Sequence, residues 1–149
     1  MFMFQSLIMP YKFLEDISLA DVAFEATGKS LEELFESSAL ATTNVMIKDL
    51  KTIKPKIKKK IKLKASTIEN LLHDFLQELV FLKDAKQLVF SKYKIKINEK
   101  KVELTAEVSG EKLNPKKQEH MVDVKAVTWH LYEVIKTDKM WKARVILDI

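Results

Sequence analysis

The sequence has 149 residues and a mass of 17.3 kDa, the length of one ordinary domain that can bury its own core. It contains no cysteine, which excludes a disulfide framework and thiolate chemistry, and its two glycines are too few for a Gly-rich phosphate loop. The formal net charge is +5, and Arg144 is the only arginine. Arginine is the preferred residue for bidentate contacts with bases and phosphates, so this composition disfavours a dedicated sequence reader of nucleic acid.

The amino terminus, MFMFQSLIMP, is apolar but short, and it has neither a positively charged start nor a small-residue cleavage site. We therefore predict no signal peptide. No apolar run approaches the ~20 residues that span a bilayer. We expect residues 1–8 to be a non-structural extension, with Met9 as the more natural start. Residues 9–149 are then a single domain, and the expected location is the cytoplasm.

The first half of the chain predicts two strands and a helix. Residues 11–16 are compatible with a strand, and residues 21–26 place apolar side chains at every second position, which is typical of a half-buried strand. Ser30 and Glu33 match a capping box, in which each side chain accepts a hydrogen bond from the other's amide. An apolar stripe then predicts a helix over 31–47.

Residues 48–64 form a lysine-rich run with strand periodicity. Apolar side chains occupy the odd positions 53, 57, 61 and 63, while lysine occupies every even position from 54 to 64. The pattern predicts a strand with a lysine-covered outer face, and Pro55 indicates either a position at a sheet edge or a strand that starts just after it. Two interpretations remain open: lysines that prevent edge-to-edge aggregation, or a basic face for RNA or an acidic partner. The candidate contacts are Lys56, Lys58, Lys60 and Lys62.

A second helix is the clearest signal in the chain. Ser66 and Glu69 match another capping box, and apolar residues then recur at i, i+3, i+4 and i+7 over residues 67–82. The stripe predicts a core-facing helix with His73 and Asp74 at its polar boundary.

The remainder alternates at period two. Residues 88–98 and 102–108 predict a hairpin, residues 110–120 a loop, and residues 122–135 and 142–149 two further strands. The fold class is therefore α+β, with two amphipathic helices packed on a largely antiparallel sheet of about seven strands. Whether the sheet curls toward a barrel stays open.

Three stretches carry candidate chemistry. Asp21 begins a strand, Lys125 lies in the otherwise apolar DVKAVTWH, and Asp148 precedes the last residue, Ile149. Carboxylates placed side by side repel each other unless a cation compensates. The alternatives are a metal site and a surface charge at a frayed end. The histidines show no zinc-ligand spacing.

These stretches resemble the archease family. The resemblance covers residues 9–149 and rests on ADVAFEATGKSLEELFESSALATTNVM (20–46), LLHDFLQELVFLKD (71–84), VDVKAVTWH (122–130) and the ending ARVILDI (143–149). The family usually has His-Thr-Ala-Asp where this chain has Ser18-Leu19-Ala20-Asp21. The aspartate is kept, and the two residues at the rim differ.

The resemblance implies a non-catalytic accessory protein of the GTP-dependent tRNA-splicing ligase, which joins 2′,3′-cyclic phosphate or 3′-phosphate ends of RNA to 5′-hydroxyl ends. Archeases promote guanylylation of that ligase and its multiple turnover, so RNA is met indirectly through the ligase, and no membrane is involved. The resemblance implies metal ligands at Asp21, Asp148 and Ile149, and a ligase-activating role for Asp21, Lys125 and Asp148. Three anionic oxygen donors suit Ca²⁺ first, with Mg²⁺ or Mn²⁺ as alternatives.

Two other functions stay open at this point. One is an RNA-binding or chaperone-like module that uses the lysine strand. The other is a stand-alone metal-dependent hydrolase built on Asp21 and Asp148, although no histidine-assisted acid–base arrangement accompanies them in the sequence.

Overall fold

A computed structural model of the chain describes residues 10–18 and 20–149, without the side chains of residues 15–18. The expected extension at residues 1–8 and the start at Met9 lie outside the described residues, as does the side chain of Ser18. In chain order the elements are β1 (Tyr11–Ser18), β2 (Asp21–Gly28), α1 (Leu31–Met46), β3 (Ile57–Lys64), α2 (Ile68–Lys86), β4 (Leu88–Asn98), β5 (Glu103–Lys112), β6 (Ala126–Val127), β7 (Glu133–Lys136) and β8 (Trp141–Asp148). The α+β class with two helices is confirmed.

The strands form two antiparallel sheets. A five-stranded sheet has the order β1-β2-β8-β6, with β7 also paired to β8, and a three-stranded sheet has the order β3-β5-β4. No pairing joins the two sheets within the described residues, so the prediction of a single sheet of about seven strands is wrong and a barrel is not confirmed. Helix α1 instead packs against both β2 and β4 and bridges the sheets, while α2 packs on α1, β4 and β6.

The cap of α1 is confirmed in part. The Ser30 hydroxyl accepts a hydrogen bond from the Glu33 amide at 3.1 Å, as the capping box requires. The Glu33 carboxylate, however, accepts from the amide of Lys29 at 3.3 Å and not from Ser30. One side chain therefore satisfies an end of the helix, and the other satisfies the turn before it.

The cap of α2 lies one residue later than predicted. Thr67 accepts from the Asn70 amide at 3.1 Å, and the Asn70 side chain donates to the Ser66 hydroxyl at 2.9 Å. The Ser66–Glu69 box is therefore wrong, because an equivalent pair one position on closes the same turn. The helix ends at Lys86, later than predicted, where Gln87 adopts the left-handed conformation with φ 56°.

The core lies between the helices and the inner faces of both sheets. Its largest fully buried side chains include Phe24 on β2, Phe35 on α1, Phe75 on α2 and Phe90 on β4. Strand β5 pairs with β4 so closely at Gly110 that an added Cβ would lie 1.8 Å from the carbonyl oxygen of Val89. Glycine is thus required there by backbone proximity, and the predicted loop at 110–120 starts only after Lys112.

The predicted strand over 122–135 is wrong. Only β6 and β7 are strands there, and the chain between them turns through Leu131 at φ 52°. Alternation fails because the side chains between the two strands are used differently: Trp129 stacks on α2, and Tyr132 donates to the carbonyl of Glu69 at 2.7 Å. Contacts with α2 therefore override the period-two pattern.

Candidate functional site

The predicted carboxylates meet at one end of the five-stranded sheet. Strand β2 begins at Asp21, strand β8 ends at Asp148, and the antiparallel register makes these two residues direct partners. Direct partners project from the same face of a sheet, with Cβ atoms roughly 4.5–5.5 Å apart. Both residues are half-buried. Main-chain pairing alone therefore brings together two carboxylates that are distant in sequence.

The other two predicted residues lie beside this pair. The Ile149 amide donates to the Ala20 carbonyl at 3.0 Å, which extends the pairing one step past Asp148. On the opposite side of β8, the Lys125 amide donates to the Asp148 carbonyl at 2.8 Å. We call Asp21, Lys125, Asp148 and Ile149 the strand-end site. Three of its residues are half-buried, and Lys125 is exposed.

The donor set fits a hard divalent cation under one condition. No group of three or more His, Cys, Asp or Glu side chains comes together in the part of the chain that the structure describes. A metal at the strand-end site would therefore take two side-chain carboxylates and would need the main-chain carboxylate of Ile149 as its third anionic donor. Such an all-oxygen set suits Ca²⁺, Mg²⁺ or Mn²⁺.

A buried lysine of α2 holds the chain just before Lys125. The Lys83 side chain is 5% exposed. Its ammonium group contacts Asp84 and donates to the Asp123 carboxylate at 2.5 Å and to the Val124 carbonyl at 2.8 Å. Burial acts to lower the pKa of Lys83, but the hydrogen bonds to Asp123 and Asp84 outweigh it and the pKa is raised. Lys83 is thus a charged anchor for the irregular segment at 123–125.

Three more residues of α2 hold the chain that follows Lys125. The Gln77 side chain accepts from the Val127 amide at 3.0 Å. The His73 ring stacks on Trp129 with centroids 3.6 Å apart and planes 4° apart, and the Glu69 carbonyl binds Tyr132. The expectation that His73 lies at the polar boundary is wrong: it is 7% exposed, because Trp129 covers it, whereas Asp74 is exposed.

Sequence reasoning missed these supporting residues. Positions 69, 73 and 77 recur at a spacing of four, which places them on one side of α2 beside its apolar stripe. That spacing indicates a row of polar residues along α2, although nothing in the sequence shows that this row binds residues 123–132. His120 and His130 are exposed.

The lysine run forms an edge strand, as predicted. Lys58, Lys60 and Lys62 lie exposed on one face of β3, which begins after Pro55. Lys56 precedes the strand, and its ammonium lies 3.8 Å from the Glu111 carboxylate. The fourth candidate contact is therefore partly neutralised by an acidic neighbour.

The described helices are all too short or too polar to cross a membrane.

Comparison with known proteins identifies the family of the chain. Residues 11–149 match the model of the Archease protein family. The chain belongs to this family, so the resemblance drawn from the motifs is confirmed.

Curated relatives span nearly the same length. The chain is 39% identical over 142 residues to a "Protein archease" of Methanosarcina barkeri, covering 93% of this chain and 95% of the relative. It is 37% identical over 133 residues to a "Protein archease" of Pyrococcus furiosus, covering 87% and 93%. Both relatives are therefore similar to this chain along almost all of it.

Solved structures agree on the fold. The solution structure of protein 1598 of Methanobacterium thermoautotrophicum is similar with a TM-score of 0.82 and 38% identity, covering 95% of this chain and all of that one. A Thermotoga maritima crystal structure, described as an archease and possible chaperone, gives a TM-score of 0.63 over 91% of this chain and 97% of that one. At 22% identity the second comparison supports the fold alone.

Proposed function

We propose that this archease-family protein is a non-catalytic activator of the GTP-dependent tRNA-splicing RNA ligase, and that it promotes guanylylation and multiple turnover of that ligase. Family membership supports the general role. The observation that carries the residue assignment is the register of β2 and β8, which pairs Asp21 with Asp148 and leaves Ile149 and Lys125 on either side. The proposal therefore places the activating residues at the strand-end site.

The chemistry proposed for the site is electrostatic. A bound divalent cation would neutralise negative charge on phosphate oxygens, which is how metal ions assist nucleotidyl transfer. Asp21, Asp148 and the Ile149 carboxylate would hold that cation, Ca²⁺ before Mg²⁺ or Mn²⁺. Lys125 would balance the carboxylates or contact phosphate. Because β2, β8 and β6 fix the backbones of these residues, little reorganisation is needed when the ligase binds.

The test is a guanylylation assay with the ligase of the same organism, GTP and no RNA. Wild-type protein is expected to raise the rate and extent of covalent GMP attachment to the ligase. Asp148→Asn keeps the shape of the side chain but removes its charge, so stimulation should fall nearly to the level without added protein. Asp138→Asn changes an exposed aspartate in the β7–β8 turn and should stimulate as the wild type does. Full stimulation by Asp148→Asn would refute the proposal.

A second arm tests the metal ligands by calorimetric titration with Ca²⁺, Mg²⁺ and Mn²⁺. Asp21→Asn and Asp148→Asn should each weaken cation binding by about tenfold or more, since each removes one of three anionic donors. Adding a single glycine after Ile149 turns its carboxylate into an amide and moves the charge, and it should weaken binding comparably. Unchanged binding in the glycine-extended protein would remove Ile149 from the ligand set.

A further inference from the structure

The outer face of the three-stranded sheet gathers lysines from both of its edge strands. Strand β3 contributes Lys58, Lys60, Lys62 and Lys64. The register places Lys60, Glu107 and Lys94 in one row across the sheet, and Lys62, Thr105 and Lys96 in the next row. We call these six lysines, with the β5 residues between them, the lysine face. The sequence run showed only four of the six, because Lys94 and Lys96 come from β4.

The lysine face holds most of the excess charge of the chain. Six lysines surround two half-buried glutamates, Glu103 and Glu107, which leaves four positive charges out of a formal net charge of +5. Lys58 and Lys64 lie 3.9 Å and 3.7 Å from these glutamates. Lys60, Lys62, Lys94 and Lys96 form no ion pair with a described carboxylate and are exposed. A lysine bias of composition alone would spread this excess over the whole surface.

The face has the spacing of a polyanion site. Alternate lysines along a strand recur about every 6.7 Å, and β3 and β4 lie about 9.6 Å apart across β5. Lys60, Lys94 and Lys96 line one shallow depression with Thr105 and Glu107. A row of phosphates laid over the sheet can therefore meet ammonium groups from both edges.

The side chains around the lysine face indicate which kind of polyanion fits it. The exposed large apolar residues of the described chain (Phe13, Phe81, Met121, Val122, Trp129, Leu131 and Ile135) all lie outside the lysine face. An apolar core marks most protein interfaces, and apolar side chains accompany lysine in membrane-surface segments, so neither an acidic protein nor a lipid surface fits well. Tyr93 is on the inner face of β4, packed against Phe75, so no aromatic side chain offers a stacking surface for bases.

We infer that the lysine face binds the sugar–phosphate backbone of duplex RNA directly and without sequence preference. Duplex RNA hides its bases and is recognised mainly through phosphates and 2′-hydroxyls, which matches a face of lysine point charges without aromatic residues or arginine. The choice of RNA among duplex polyanions rests on the proposed function, because the ligase partner acts on RNA. The face would hold the structured part of the ligase's substrate near the complex, separately from the strand-end site.

The experiment is fluorescence anisotropy of a labelled RNA hairpin over a KCl series, with the full-length protein. Lys60→Glu, Lys62→Glu, Lys94→Glu and Lys96→Glu are combined in one variant. The control combines Lys29→Glu, Lys51→Glu, Lys116→Glu and Lys139→Glu, which are exposed lysines elsewhere and change the net charge equally. The face variant should lose about tenfold or more in affinity at moderate salt. The plot of log K against the logarithm of the salt concentration should become shallower by about 3, since each phosphate contact contributes up to about 0.9 to the slope. The control variant should retain most of the affinity and most of the salt dependence.

Three results would overturn the inference. The first two are an equal loss of RNA affinity in the face variant and the control variant, and no loss of RNA affinity in either. The third is displacement of the RNA by polyglutamate at matched charge, which would indicate an acidic protein partner. A Lys→Gln version of the face variant guards against misfolding caused by charge reversal and should show an intermediate loss. The RNA-free guanylylation assay separates the two proposals: the face variant should stimulate the ligase fully. If it does so but RNA binding is unchanged, only this inference fails.

Discussion

The two sheets place their charged residues in different ways. The strand-end site takes residues from three separate stretches, which meet because β8 pairs with β2 on one side and β6 on the other. The lysine face takes its residues from the simple alternation within β3 and β4. The first arrangement depends on long-range register, and the second survives as long as each strand forms. Single substitutions can therefore disturb one arrangement and leave the other intact.

The largest effect is expected in the core, where the two helices and β4 meet at one side chain. Phe75 of α2 is fully buried and packs against Phe35 of α1 and Tyr93 of β4. Phe75→Ala should lower the free energy of unfolding by about 3–5 kcal/mol through lost burial and a cavity. The measurement is urea unfolding followed by circular dichroism. Phe81→Ala is the matched control on the same helix, because Phe81 is 55% exposed and should change stability by no more than about 0.5 kcal/mol.

The three-stranded sheet alone should respond to Gly110→Ala. A Cβ there would meet the carbonyl oxygen of Val89 at 1.8 Å and the Cα of Phe90 at 2.6 Å, and both are backbone atoms that cannot move alone. We expect about 3 kcal/mol of destabilisation from forced separation of β4 and β5. Hydrogen exchange should show faster opening of β4 and β5 than of β2 and β8. Ser109→Ala, one residue earlier, should leave exchange in β5 nearly unchanged.

The sequence predicted the lysine face better than the supports of the strand-end site, for a physical reason. Alternation is local, so the even-numbered lysines of β3 showed their common face directly. The roles expected of Asp21, Asp148, Ile149 and Lys125 come from the family resemblance, and the register that joins these residues is not a local property. Residues 122–135 alternate as β3 does, but the contacts of Trp129 and Tyr132 with α2 end the strand after Val127.

The error in the cap of α2 also arises from a choice that the local pattern does not decide. Ser66 and Thr67 are adjacent hydroxyl residues, and each has a partner three residues on that can complete a cap. The sequence pattern cannot rank them, and in the structure the N-cap is Thr67. Gly110 shows the converse case: a glycine in an alternating strand indicates a close backbone approach, and the structure places it within β5 and not at the start of the predicted loop.

The segment carrying Lys125 should loosen when its anchor is removed. Lys83→Met keeps the length of the side chain but loses the bonds to Asp123 and to the Val124 carbonyl. We expect a loss of about 2 kcal/mol, the range for charge-assisted hydrogen bonds. The amide of Lys125 should exchange faster, and ligase stimulation should weaken without loss of the fold. Lys86→Met, at an exposed site in the same helix, should do neither.

The pH dependence of Lys83 gives this prediction a second measurement. Its pKa is raised above the usual 10.5, so the folded state holds the proton more tightly than the unfolded chain does. The stabilisation that protonated Lys83 provides is therefore fully present at neutral pH, and it is lost only as the pH rises through the pKa of Lys83 in the folded state. The stability difference between wild type and Lys83→Met should shrink at strongly alkaline pH. A difference that stays constant would show that Lys83 acts through packing alone.

The smallest effect is expected at His73, and it acts in the opposite direction with pH. Burial lowers the pKa of His73 below 6.5, although the neighbouring main chain of Val127 and Thr128 and the charge of Asp74 act against this shift. As the pH falls, His73 therefore binds a proton more readily in the unfolded chain than in the folded protein. Its contribution to the free energy of unfolding is fully present above about pH 6.5 and is lost at lower pH. His73→Phe keeps a ring against Trp129 but removes this titration. Urea unfolding at about pH 7.5 and about pH 5.5 should show a smaller acid loss in His73→Phe than in the wild type. His130→Gln changes an exposed histidine in the same region and should match the wild type; an equal reduction there would assign the acid loss to other groups near Trp129.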